Sequence, residues 1–103
     1  NEDPFTSAMA GYLLVLLGDA SGMEPLLSYW RGLDDRSKVD RLVYRAIAIM
    51  DDDKYLSELK DIYSRLGEYQ KRDFYWTIRI MTGPNLLELR AQIRDEVGMD
   101  NLR

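Results

Sequence analysis

The sequence predicts an all-α chain built as three antiparallel helix pairs, each stacked on the next. Three observations predict it. Apolar residues recur at helical spacing in six short segments, each bounded by Gly, Pro or Asp. No stretch alternates apolar and polar residues over a strand's length. The chain also repeats itself. Val43 to Gly67 lies over Phe74 to Gly98 without a gap at an offset of 31 residues. Tyr44 then meets Tyr75, Ile47 meets Ile78, Ile49 meets Ile80 and Met50 meets Met81. Leu56, Ile62 and Gly67 meet Leu87, Ile93 and Gly98. A fainter copy stands 33 residues upstream, with Leu14, Leu16 and Leu17 over Ile47, Ile49 and Met50. A period in this range marks a stacked repeat array.

The elements follow in order. Asp3-Pro4 opens the first helix, Asp as the cap and Pro at the first helical position. Phe5, Met9, Tyr12, Leu13, Leu16 and Leu17 form its stripe, and Leu14 and Val15 fill the other side. A helix apolar nearly all round is expected to be buried on more than one side. Gly18 suits the left-handed residue after its end. Ser21 and Glu24 read as a capping box for a second helix with Met23, Leu26, Leu27 and Trp30 inward, stopped by Gly32. Asp34 to Ser37 starts a third helix carrying Val39, Leu42, Val43, Ala46, Ile47, Ile49 and Met50. Asp51-Asp52-Asp53 ends it and caps a fourth, lined by Tyr55, Leu56, Leu59, Ile62, Tyr63 and Leu66 and terminated by Gly67. A fifth runs from Tyr69 to Met81 with Phe74, Tyr75, Ile78 and Met81 inward. Thr82-Gly83-Pro84-Asn85 breaks the chain, and Asn85 with Glu88 reads as a second capping box. The sixth helix buries Leu86, Leu89, Ile93 and Val97, ends at Gly98, and leaves Met99 to Arg103 to fray.

At 103 residues the chain is one domain's worth, with 46% hydrophobic and 31% charged residues, a globular mixture. The net charge of −4 disfavours a sequence-independent nucleic-acid binder and an anionic membrane surface. There is no cysteine, hence no disulfide or thiolate chemistry, and no histidine, the commonest general base and metal ligand. Ala8 to Leu17, the most apolar run, is too short to span a bilayer, and its acidic flank argues against a signal peptide. The opening Asn1-Glu2-Asp3-Pro4, without an initiator Met, is that expected of a piece of a longer protein, and the compartment stays open.

The turns carry a resemblance. Leu17-Gly18-Asp19-Ala20-Ser21, Met50-Asp51-Asp52-Asp53 and Met81-Thr82-Gly83-Pro84-Asn85 each join the helices of a pair, and Leu17-Gly18-Asp19 is close to the LGD that often ends the first helix of a HEAT-like repeat. The chain resembles HEAT-like repeats of the short bacterial type over three pairs, Pro4–Gly32, Arg36–Gly67 and Gln70–Gly98. The second repeat lacks the turn glycine and the first is irregular. The resemblance implies a right-handed α-solenoid, a HEAT/armadillo-like superhelix, with first helices on the convex side and second helices on the concave one. It implies a non-catalytic protein-binding or scaffold module, with no cofactor. A nucleic-acid-associated domain and an accessory domain of a larger enzyme are the alternatives. A solenoid end without a neighbour exposes apolar surface, and the first helix is the candidate.

Asp51 opens no EF-hand, because Leu56 and Ile62 stand where Gly and Glu are required, so the acidic run reads as a cap and no metal is expected. Arg41, Arg45, Arg72 and Arg79, with Tyr44, Tyr75 and Trp76 among them, have the types that stack on bases, but acidic residues elsewhere offset them. No catalytic constellation emerges. The expected partner is another protein or a neighbouring domain of the same chain. Its expected surface is the mixed-charge concave face of Glu58, Asp61, Arg65, Arg90 and Arg94, with Trp76 as an aromatic contact.

Overall fold

A computed structural model describes residues 3–98. Among them the chain is all helical: α1 (Pro4–Leu16), α2 (Met23–Arg31), α3 (Arg41–Met50), α4 (Leu56–Arg65), α5 (Glu68–Ile78) and α6 (Pro84–Val97). Single 3₁₀ turns at Ala20–Gly22, Arg36–Lys38 and Asp53–Tyr55 precede α2, α3 and α4. The fraying expected of Met99 to Arg103 lies outside the described residues.

Short Asp caps start most of these segments. Asp3 accepts from the Phe5 and Thr6 amides at 2.8 and 3.2 Å. Asp19, Asp35 and Asp52 each accept from the amide two residues on and so close the three 3₁₀ turns. The capping box expected at Ser21 is absent: α2 starts from Gly22 with no side-chain cap, and Ser21 supplies an amide to Asp19, which caps the 3₁₀ turn before it. The box expected at Asn85 is also absent. Pro84 occupies the first turn, which moves the cap back to Gly83. The third helix starts later than expected, because the chain is extended at Val39 and Asp40 and Asp40 caps α3 through Leu42. Gly67 separates α4 from α5, with Gln70 accepting from its amide at 3.1 Å.

α1 packs on α2 and α3, α3 on α5, and α5 on α6; α2 and α4 also touch α3, and α4 touches α6. The core is apolar throughout. Leu26, Val43, Ile47, Leu59, Ile62, Phe74, Ile78 and Met81 are fully covered. At about 1.5–3 kcal/mol for each such side chain, they dominate the favourable side of folding. Phe74 sits between the rings of Tyr44 and Tyr63, 5.1 and 5.6 Å away. Trp30 is buried, and its Nε1 donates to the Arg36 carbonyl.

α1 departs from expectation. Only Ala8, Gly11 and Val15 are buried, while Leu13, Leu16 and Leu17 are 61%, 52% and 84% exposed. The physical reason is close approach. A Cβ on Gly11 would collide with the Gly22 carbonyl oxygen and stand 2.7 Å from Pro25 Cγ. Small residues therefore make the helix contact, and the leucines are left on the far side. Of the two residues expected to fill its other side, Val15 is covered and Leu14 is 38% exposed.

Polar ties join segments about one repeat apart. Asp51, in left-handed backbone at φ 50°, accepts from the Thr82 amide at 3.0 Å and the Thr82 hydroxyl at 2.8 Å. Asn85 Nδ2 donates to Asp53 at 3.1 Å. Tyr44 donates to Asp73 Oδ2 at 2.5 Å, and Arg41 donates to Asp73 Oδ1 at 2.9 Å.

Candidate functional site

The expected surface divides into separate parts. On α4, Glu58 pairs with Arg31 of α2 at 2.9 Å. Asp61 lies 3.0 Å from Arg65, one helical turn away, and 3.8 Å from Arg36. The Arg36 guanidinium also lies 5.4 Å over the Trp30 ring. Glu58 and Asp61 line one shallow recess with Trp30, Arg31, Arg36 and Ser57. Its charges are largely matched within the recess itself. Exposed pairs of this kind contribute about 0–1 kcal/mol each, so they hold side-chain positions more than they hold the fold.

Arg90 and Arg94 line a different recess, between α5 and α6, with Tyr75, Leu87 and Ala91. Arg90 is anchored by a 2.8 Å hydrogen bond to the Met81 carbonyl. Arg94 is exposed. Trp76, 43% exposed, stands edge-on to Tyr75, with ring centroids 5.8 Å apart. The Arg79 guanidinium lies 4.6 Å over its ring. Ile80 and Leu87 are 61% and 46% exposed. α5 and α6 thus present Trp, Arg and exposed aliphatic side chains, the residue types that anchor protein partners.

A third cluster was not anticipated. Asp73 holds Tyr44 and Arg41 together, beside Val39, Asp40, Tyr69 and Gln70. Its signal in the sequence was faint: the partners stand 29 and 32 residues apart, so the pairing shows only once the helices are packed. Burial, then the Asp73 hydrogen bond and charge, pushes the Tyr44 phenol well above the ordinary tyrosine range. Burial and the nearby Glu96 carboxylate push Tyr63 up to about 12. Both phenols stay protonated at neutral pH, so neither serves as a base, and Tyr44 donates to Asp73. At Asp51, burial works to raise the carboxyl, but hydrogen bonds from Thr82 and the Gly83 amide outweigh it and hold the group below the usual carboxylate range.

The acidic run is thereby accounted for. Asp51 binds Thr82, Asp52 caps the 3₁₀ turn and Asp53 binds Asn85. Arg41, offered for base stacking, has its charge matched by Asp73. Among the described residues no helix is long and apolar enough to cross a membrane. Comparison with protein-family models, with curated proteins and with solved structures yields no match.

Proposed function

We propose that the chain is a non-catalytic HEAT-like interaction module, a solenoid of three helix pairs that binds another protein. What supports the stacked reading is the register of burial. Ile47 and Ile78, one repeat apart, are both fully covered, and Ile49 and Ile80 are both exposed. The turn-to-turn bond from Asp51 to Thr82 spans 31 residues, the repeat length itself. The contacts of α1 with α3 and of α3 with α5 are those of neighbouring first helices in such a stack.

The single observation that carries the binding reading is the α5–α6 surface of Trp76, Arg79, Ile80, Leu87 and Arg94. A half-exposed Trp with a guanidinium over its ring and a Tyr ring at its edge is a hot-spot arrangement. The partner that fits presents an apolar side chain against Trp76 and carboxylates toward the arginines. The α2–α4 recess is the weaker candidate, because its charges already pair with one another.

Affinity capture with the wild-type chain and with Trp76→Ala/Arg79→Ala, run side by side and quantified, tests the reading. It predicts that a specific protein is depleted at least tenfold with the variant, a change of about 1.4 kcal/mol or more. Identical recovery with both baits overturns the assignment of this surface. Filter binding of DNA and RNA at low salt checks the nucleic-acid alternative. Salt-sensitive retention lost in Arg41→Ala/Arg45→Ala favours that alternative, and no retention at low salt removes it.

A further inference from the structure

We infer that α1 is a self-association helix: two copies of this chain pair α1 against α1, antiparallel, about a two-fold axis. The inference rests on exposure and register at α1, and it survives or fails independently of the α5–α6 partner surface.

The open face of α1 has the spacing of a helix-pairing seam. Thr6, Ala10, Leu13 and Leu17 are all exposed. Their spacing of four, three and four residues is that of the apolar seam between paired helices. The stripe lies on the opposite side of the helix from the buried Ala8, Gly11 and Val15. Phe5, Leu14 and Leu16 flank it, 44%, 38% and 52% exposed. No residue of α1 is charged.

The same register is covered elsewhere in the chain. Ala10, Leu13, Leu14 and Leu17 correspond to Val43, Ala46, Ile47 and Met50 of the second repeat. Val43, Ala46 and Ile47 are fully covered, and Met50 packs against the core. In the third repeat the corresponding Phe74, Ile78 and Met81 are fully covered as well. The α1 stripe therefore continues a set of positions that pack against a helix wherever one is present.

Size and shape point to a second copy as the occupant. The exposed fractions of Phe5, Leu13, Leu14, Leu16 and Leu17 leave on the order of 500 Å² of apolar surface per chain, as large as the patches that mark interaction sites. Two such faces together offer at most on the order of 1,000 Å², so a specific dimer must cover the flanking Phe5, Leu14 and Leu16 as well as the seam. Antiparallel pairing sets Leu17 opposite Thr6 of the other copy and Leu13 opposite Ala10. Large then meets small at every level, as interdigitating helices require. α1 itself carries no charge, so the seam buries none; the nearest acids, Asp3 and Asp19, are exposed and stand beyond its two ends. A head-to-tail arrangement fits poorly, because the α6 end presents Glu88, Gln92, Arg94 and Asp95 to solvent, and leucines would be buried against them.

Sedimentation velocity over a concentration series, with Leu13→Glu/Leu17→Glu alongside, tests the proposal. The expected result is a concentration-dependent dimer for the wild type and at least a tenfold rise in its Kd for the variant. Helicity should be unchanged, since both side chains are already exposed. The chain has no cysteine, so introduced thiols report orientation directly. Thr6→Cys mixed with Leu17→Cys should form a disulfide-linked dimer, and Leu17→Cys alone should not. A monomer at every concentration up to about 1 mM, the weak edge of specific association, overturns the proposal. So does a dimer indifferent to the Glu substitutions, or efficient Leu17→Cys self-linkage.

Discussion

Gly11→Ala should destabilise this protein, although alanine inside a helix is ordinarily the better residue. Glycine in a helix interior costs about 0.5–1 kcal/mol relative to alanine, so helix propensity alone predicts a gain. The packing of α1 on α2 predicts the reverse. The added Cβ would overlap the Gly22 carbonyl oxygen and lie 2.7 Å from Pro25 Cγ, against an ordinary contact of 3.4–4 Å. The oxygen belongs to backbone and cannot rotate away, so the two helices must separate by roughly 1 Å to restore contact distance. Overpacking of this kind costs about 1–3 kcal/mol, and a backbone collision belongs at the upper end. Net of the propensity gain, we expect a loss of about 2 kcal/mol. At about 4–8 °C per kcal/mol for a domain of this size, Tm should fall by at least about 8 °C. Urea unfolding followed by far-UV circular dichroism measures the free-energy loss, and a thermal melt measures the shift in Tm. Gly32→Ala is the control. Its backbone is right-handed and its nearest neighbour would be 3.3 Å away, so only a few tenths of a kcal/mol are expected. A Gly11→Ala protein as stable as wild type, or more stable, would refute the close approach of α1 to α2.

Further outcomes follow from the same packing. Phe74→Ala empties the space between Tyr44 and Tyr63 and should cost about 3–5 kcal/mol, a large part of a typical domain's stability, read as a collapse of the urea midpoint. Asp51→Ala removes the acceptor of two Thr82 hydrogen bonds and places alanine at φ 50°, for a loss of about 2 kcal/mol; Asp51→Gly relieves the backbone term and should lose less. Acid should weaken the protein through four hydrogen-bonded aspartates. Asp3, Asp19, Asp35 and Asp51 all have carboxyls held below the ordinary 3.8, so their stabilisation is fully present above that pH and is lost as pH falls through the lowered native values. At the alkaline end Tyr63, pushed up to about 12, loses its contribution as pH rises from 10 toward 12; stability measured across both ranges checks the two limbs.

The sequence carried the helix count and the core of α3 to α6 because each of those helices shows one apolar stripe against a polar remainder. Ile47, Leu59, Ile62, Ile78, Leu86 and Ile93 lie inside as their spacing required. α1 was misread because apolarity all round hides which side packs. What decided it was Gly11 meeting Gly22, a steric fact of two helices that no single helix displays. Cap positions shifted for a local reason: Asp19 and Pro84 each outcompete a neighbouring Ser or Asn for the start of a turn. At the surface, the type of each charge was legible but its partner was not. Glu58 pairs with Arg31 and Asp73 with Arg41, residues 27 and 32 positions away that come together only once the helices pack.

The stack itself can be tested by distance. Leu16 in α1, Ile49 in α3 and Ile80, two residues past α5, stand one sequence repeat apart, and all three are exposed. Spin labels placed there in pairs, with unlabelled protein in excess, measure how α1, α3 and α5 lie. Neighbouring helix axes are about 8–10 Å apart, so a linear stack predicts short Leu16–Ile49 and Ile49–Ile80 distances and a Leu16–Ile80 distance of about 20 Å. Three similar distances, as in a closed bundle, would contradict the account.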